Sequence, residues 1–245
     1  MLRIGCAGWT IPKQHASAFA SEGSHLARYA HRFNAVEINS SFHRPHRRST
    51  YERWAASVPD DFLFAVKLPR EITHKRKLVD IEEPLVAFLE QARGLGAKLG
   101  PLLVQLPPSF QFDPKVARPF FALLRVHHAG DIVCEPRHAT WFTPQAEALL
   151  AKFRAARVAA DPAPAPEAAV PGGWRRLRYL RLHGAPRVYY SDYSSEQIAD
   201  VALRLRSEPT SAWCIFDNTA HGHAIGSAVA LQEMIARLTP APRSA

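Results

Sequence analysis

AVEINSSFHRPHRRSTYERWAASVPDDFLFAVK, residues 35–67, holds one complete strand–helix–strand unit. Its first segment, 35–39, and its last, 62–67, are short, β-branched and apolar at alternate positions, which predicts strands. Ser49 and Glu52 between them have capping-box spacing ahead of a helix over 49–57. Working outward, the same pattern recurs. Strands are predicted at 2–7, 101–106, 131–135, 157–161, 178–183 and 212–217, eight in all. Helices are predicted at 24–32, 82–98, 114–127, 143–155, 194–207 and 226–238. Ser194 with Gln197 and Thr143 before Pro144 supply further start signals.

Only the sixth connection breaks the pattern. DPAPAPEAAVPGGW (161–174) is rich in Pro and Gly, so an irregular Pro/Ala-rich loop is expected in place of the sixth helix. Eight βα units in 245 residues predict an α/β fold, a single-domain (β/α)8 TIM barrel over residues 1–240. Residues 241–245 are expected to form a frayed tail. An open doubly wound sheet would want a Gly-rich phosphate turn after the first strand, and Gly5 and Gly8 do not make one.

The chain is 47% hydrophobic and 22% charged, with material for a core. No apolar run approaches the roughly 18 residues that span a bilayer. The N-terminus enters a strand at once and lacks the apolar region of a secretion signal, so a cytoplasmic location and no membrane partner are expected. Cys6, Cys134 and Cys214 lie far apart in apolar segments, which argues against a disulfide framework or zinc knuckle. The net charge of +9 is concentrated in HRPHRR (43–48) and KLPREITHKRK (67–77). Local charge of this kind favours an anionic small molecule or nucleic acid as partner. Oligomeric state is not fixed by the sequence.

In a barrel, chemistry sits at the carboxyl ends of the strands. Side chains alternate along a strand, so Glu37 and Asn39 share a face opposite Val36 and Ile38. The same parity puts Lys67 with Ala65, Gln105 with Leu103, Glu135 with Val133, Arg181 and His183 with Tyr179, and Asp217 with Ile215, all toward the axis. Glu37, Lys67, Glu135, His183 and Asp217 form the candidate catalytic set. Either glutamate could act as general base, with His183 as acid or base and Lys67, Arg137 and Arg181 steadying an anion. Asn39, His43, Arg44, His74, Arg137, His138, Asp161, Arg181 and Asn218 are the candidate substrate- or anion-binding residues. The opposing reading is a satisfied polar network that plugs the mouth without chemistry.

No cofactor is predicted. Four acids and a His are ligand types for a divalent metal, but cations in the same tier disfavour one. The loops after strands seven and eight occupy the fold's habitual phosphate position, with Gly222 and Gly226 ahead of a helix N-terminus. A phosphate-like anion is therefore expected between Arg181, His183 and the 218–226 loop, although those glycines could equally serve only tight turns.

These residues also form an ordered set. VEINSSF (36–42) with Arg44, Pro45 and Trp54 is followed by FAVK (64–67), ITH (72–74) and GPLLVQLPPSF (100–110). EPRH (135–138) with Trp141, then DP (161–162), RLHG (181–184), Tyr189, FDN (216–218) and Ala224 complete it. The chain resembles the YecE-like family, domain of unknown function 72, nearly end to end. The resemblance implies a (β/α)8 barrel and no particular reaction. His43 stands where the family usually has Tyr, Pro136 where Leu is usual and Asp217 where Asn is common. A second Trp soon after Trp9 is missing. The leading expectation is an enzyme, a hydrolase or lyase, acting on a phosphorylated or nucleic-acid substrate. A non-catalytic nucleic-acid binder is the first alternative. A metal-dependent endonuclease or sugar isomerase, by analogy of fold, is the second.

Overall fold

In a computed structural model of the chain, residues 1–207 and 210–238 are described. The expected tail at 241–245, and the end of the expected domain at 240, lie outside them. The first half runs β1 (Leu2–Cys6), α1 (His25–Ala30), β2 (Ala35–Ile38), α2 (Ser40–His43), α3 (Arg48–Ala56), β3 (Leu63–Lys67), α4 (Glu82–Ala92), β4 (Leu99–Gln105) and α5 (Pro114–His127). Then follow β5 (Ile132–Glu135), α6 (Pro144–Lys152), β6 (Ala155–Arg157), β7 (Ala159–Asp161), β8 (Gly172–Gly173), β9 (Leu177–Leu182), α7 (Ser195–Arg206), β10 (Ser211–Phe216) and α8 (His223–Leu238).

One sheet has the order β1-β10-β9-β7 and the other β2-β3-β4-β5-β6-β8. Every ladder is parallel except β6 with β8. A single parallel bridge, Ala7 to Glu37, links β1 to β2. At the other seam Val158 alone separates β6 from β7, and its N–H donates to the Cys134 carbonyl at 2.8 Å. The expected sixth strand at 157–161 is therefore one extended run that begins at Ala155 and changes neighbour at Val158. Residues 161–174 carry no α-helix, only a 3-10 turn at Pro166–Ala169 and the two-residue β8.

Alternation sorts the strand residues into two cores. Ala35, Ala65, Leu103, Val133, Tyr179 and Ile215 belong to an inner cluster. Val36, Val66, Val104, Cys134, Leu180 and Phe216 belong to the larger cluster packed with the helices. Both caps read from the sequence at Thr143 and Ser194 are made, the latter as a full capping box with Gln197. The Ser49–Glu52 box is not. Helix α3 starts one residue earlier, so Ser49 lies inside its first turn and Glu52 instead accepts from Arg48 at 2.9 Å. Helix α8 likewise begins at His223, which puts Gly226 within the helix rather than ahead of it. The three cysteines are free and buried.

Candidate active site

The inward parity of the strands delivers charge to their carboxyl ends. Glu37 lies one residue from the end of β2, Lys67 is the last residue of β3, Glu135 the last of β5, and Arg181 lies one residue from the end of β9. Arg181 is the hub and is wholly buried. Its Nε donates to Glu37 Oε2 at 3.0 Å and its Nη2 to Glu37 Oε1 at 2.7 Å, a bidentate pair. Nη2 also donates to Asp217 Oδ2 at 2.8 Å, and Nη1 donates to Glu135 Oε2. One guanidinium thus ties together three carboxylates from β2, β5 and the end of β10.

His183 closes the ring from the end of β9. Its Nε2 lies 3.0 Å from Glu135 Oε1 and its Nδ1 3.1 Å from Asp217 Oδ2. Burial alone would push the imidazole pKa down, but Glu135 and the two hydrogen bonds hold it above the ordinary value. The imidazolium can then donate at both nitrogens. Burial likewise opposes the carboxylate of Glu135, yet Arg181 and His183 hold it well below the usual range. Arg181 and His183 act on Asp217 in the same sense.

Lys67 differs from its neighbours. It is 8% exposed, and its Nζ sits 4.2 Å from the centre of the Phe42 ring. Burial, with Arg181 close by, lowers it to about 8. His74 packs edge-on against Phe42 at 4.8 Å between ring centres. Burial and the charges of Lys67 and Arg137 push His74 down to about 4, so it is neutral at pH 7.

Arg137 is the accessible cation of the cluster, with a quarter of its side chain exposed. Its Nε donates to Glu135 Oε1 at 3.1 Å and its Nη2 to the Tyr189 hydroxyl at 3.4 Å. A cavity of about 290 Å³ opens against Glu135, Arg137 and His183, walled by Pro108, Pro162 and Val188. His43 and Arg44 lie apart from it, exposed on α2 and its exit. They line a groove of about 500 Å³ with Phe42, Arg70, Lys75 and Phe88. The two basic segments therefore border one groove.

Several expected binding residues are elsewhere. Asp161 has the parity of Ala159, which packs with the helix-facing core, and its Oδ2 accepts from the Tyr193 hydroxyl at 2.7 Å. Asn218 follows Phe216 in parity; it is fully buried and its amide donates to the Ser191 carbonyl at 3.0 Å. The His138 ring bonds Thr140 at 3.0 Å. Asn39 caps α2 by position, with its side-chain oxygen buried and unpartnered. The expected anion seat between Arg181, His183 and the 218–226 loop is not formed. Arg181 is enclosed by its own carboxylates, and Gly222 with Ala224 lines a different cavity of about 300 Å³ beside Gly8 and Pro12.

Two contributors were not among the expected site residues. The Tyr179 hydroxyl donates to Glu37 Oε2 at 2.8 Å, and the Gln105 amide donates to Glu135 Oε2 at 3.0 Å. Both share the inward parity of the acids, and that was the available signal. Among the described residues no group of three or more His, Cys, Asp or Glu is arranged to hold a metal; the cation that the three acids surround is Arg181.

No helix of the described residues is long and apolar enough to cross a membrane. The UPF0759 protein YecE of Escherichia coli is 31% identical over 110 residues, 45% of this chain and 39% of that protein. YunF of Bacillus subtilis is 30% identical over 152 residues, 59% of this chain and 53% of that protein. The matched segments thus span about half or less of those relatives. A solved DUF72 family protein from Enterococcus faecalis superposes with a TM-score of 0.78 at 23% identity, covering 96% of this chain and 98% of that one. The structural neighbours are TIM-barrel-like. The family model described as protein of unknown function DUF72 matches residues 3–245, and the chain belongs to that family.

Proposed function

We propose that the chain is an acid–base enzyme acting on a small anionic substrate, phosphorylated or carboxylated, at the mouth of a closed (β/α)8 barrel. One observation carries this reading: the Glu135–His183–Asp217 line abuts a cavity whose wall also holds the partly exposed Arg137. A plug would satisfy its charges and stop. Here Arg137 keeps a quarter of its side chain exposed beside a carboxylate that shares a hydrogen bond with a histidine. Arg137 would seat the anion. Glu135 Oε1 would exchange a proton with the substrate, and His183 would store it between two carboxylates. Arg181 and Tyr179 would position the acids without touching substrate. The reading invokes no organic cofactor.

The test is a thermal-shift screen over phosphosugars, nucleotides and oligonucleotides, with and without divalent ions, followed by calorimetry on each hit. Arg137→Met should weaken the best small anion by about 10- to 100-fold, the loss of one charge-assisted contact of about 1.5–3 kcal/mol. A screen with no small-anion hit, or equal binding by Arg137→Met, contradicts the proposal.

Nucleic-acid binding without turnover is the second reading, favoured by the groove that Arg44 and Arg70 line together with Phe42 and Phe88. Oligonucleotide affinity that falls steeply with salt, with no small-molecule hit, would select it.

A further inference from the structure

We propose that Lys67 is a covalent catalyst that forms an imine with the carbonyl carbon of its substrate, which makes that substrate a small anionic aldehyde or ketone. The anionic half of this statement rests on the acid–base reading above; the imine rests on Lys67 itself.

Two enclosed lysines make the contrast. Lys98 donates to the carbonyls of Ala55 at 2.8 Å and Val58 at 2.7 Å and faces Asp60 at 3.5 Å. It is a structural ammonium with its acceptors in place. Lys67 is set apart by its surroundings: Glu37, Glu135 and Asp217 are near enough to act on its charge, yet all three are bonded to Arg181. Among the described residues the Lys67 ammonium makes no hydrogen bond or ion pair, only its contact with the Phe42 ring. A buried ammonium without acceptors is destabilised relative to the neutral amine. Desolvation and a neighbouring guanidinium are the two devices that activate a lysine as nucleophile, and both are present. With Lys67 lowered to about 8, roughly a tenth of it is free amine at pH 7.

The chemistry balances without a redox partner. The Nζ lone pair forms a bond to the carbonyl carbon, the C=O π electrons move to oxygen, and a proton passes from nitrogen to that oxygen. The resulting hydroxyl takes a second proton, the one His183 shares with Glu135, and leaves as water while the nitrogen lone pair makes C=N⁺. The iminium withdraws electrons from an adjacent C–H bond, whose proton passes to Glu135, and the enamine so formed takes a proton back at carbon from the same carboxyl. Water then adds to the regenerated iminium, reverses the earlier steps and frees Lys67.

The test uses the full chain with sodium cyanoborohydride and, separately, pyruvate, dihydroxyacetone phosphate and neutral glycolaldehyde, read by intact mass and peptide mapping. Lys67 should be labelled at least tenfold faster than any of the other six lysines, by an anionic probe, with a rate that rises between pH 6 and 8. Lys67→Met should abolish that adduct, while Lys98→Met, folded by circular dichroism, should retain it. Labelling spread over surface lysines, with Lys67 not preferred, overturns the imine even if calorimetry finds an anion. Equal labelling of Lys67 by glycolaldehyde and the charged probes sustains the imine and removes the anionic specificity.

Discussion

Buried arginines at the two ends of the strands are treated differently. At the amino ends, Arg3 donates to the Asn34 carbonyl at 3.2 Å and the Asp61 carbonyl at 2.5 Å. At the carboxyl ends, Arg181 bonds to three carboxylates. Carbonyl acceptors do not titrate, so the first arrangement holds at any pH. Carboxylates, a histidine and a lysine do titrate, and all are gathered at the end where a ligand can enter. The contrast teaches that buried charge is held in two ways here, by acceptors that cannot titrate at one pole and by groups that can at the other.

The largest expected effect separates the two arginines. Arg181→Met leaves Glu37, Glu135 and Asp217 without their common cation, which should cost about 3–5 kcal/mol in denaturant unfolding. Arg3→Met removes only hydrogen bonds to carbonyls and should cost about 1–3 kcal/mol. Equal losses would erase the distinction.

Lys67→Met should go the other way and stabilise the protein by on the order of 2 kcal/mol at pH 7. The folded state holds Lys67 at about 8 against an ordinary 10.5, so its charge is penalised in full below pH 8. Between pH 8 and 10.5 the unfolded chain binds the proton and the folded one does not, so wild-type stability rises and the gain from the variant shrinks to nothing. Thermal melts across that range check the sign; Lys98→Met, which strips acceptors of their donor, should be destabilised throughout.

A smaller, pH-shaped effect comes from the acids and His183. Glu135 and Asp217 are depressed in the folded state, so their contribution is complete above their ordinary values of 4.5 and 3.8 and is lost as pH falls through the folded ones. His183 is raised, so its contribution is complete below 6.5 and is lost as pH rises through its folded value. Melting temperature should therefore pass over a plateau between about pH 4.5 and 6.5. Arg181→Met should narrow that plateau, whereas Arg3→Met should leave its shape unchanged.

Strand parity made much of this legible. Period-two alternation alone set Glu37, Lys67, Glu135, Arg181 and Asp217 on the inner face, because a one-residue error would have moved apolar neighbours into the mouth. It could not report partners. That Arg181 is consumed by acids from three strands depends on their meeting in space, so a guanidinium readable as an anion clamp proves to be an internal tie. Asp161 and Asn218 were selected for lying near strand ends, and their own parity with Ala159 and Phe216 turned them outward. Tyr179 was set on the inner face with Arg181 and His183 but given no role; its hydroxyl bond needed Glu37 beside it. The change of neighbour at Val158 leaves no mark, since alternation is the same against either partner.

The central claim is that the mouth exchanges protons with a bound anion through the Glu135–His183 pair. The most direct measurement is an NMR titration of the histidine ring resonances in the wild type and in Arg137→Met, without and with the best anion from the screen. The account predicts that His74 titrates near 4 and His183 above 6.5, and that the anion shifts His183 saturably in the wild type but about tenfold less tightly in Arg137→Met. A His183 signal that titrates below 6.5, or that stays fixed while the anion binds, would contradict it.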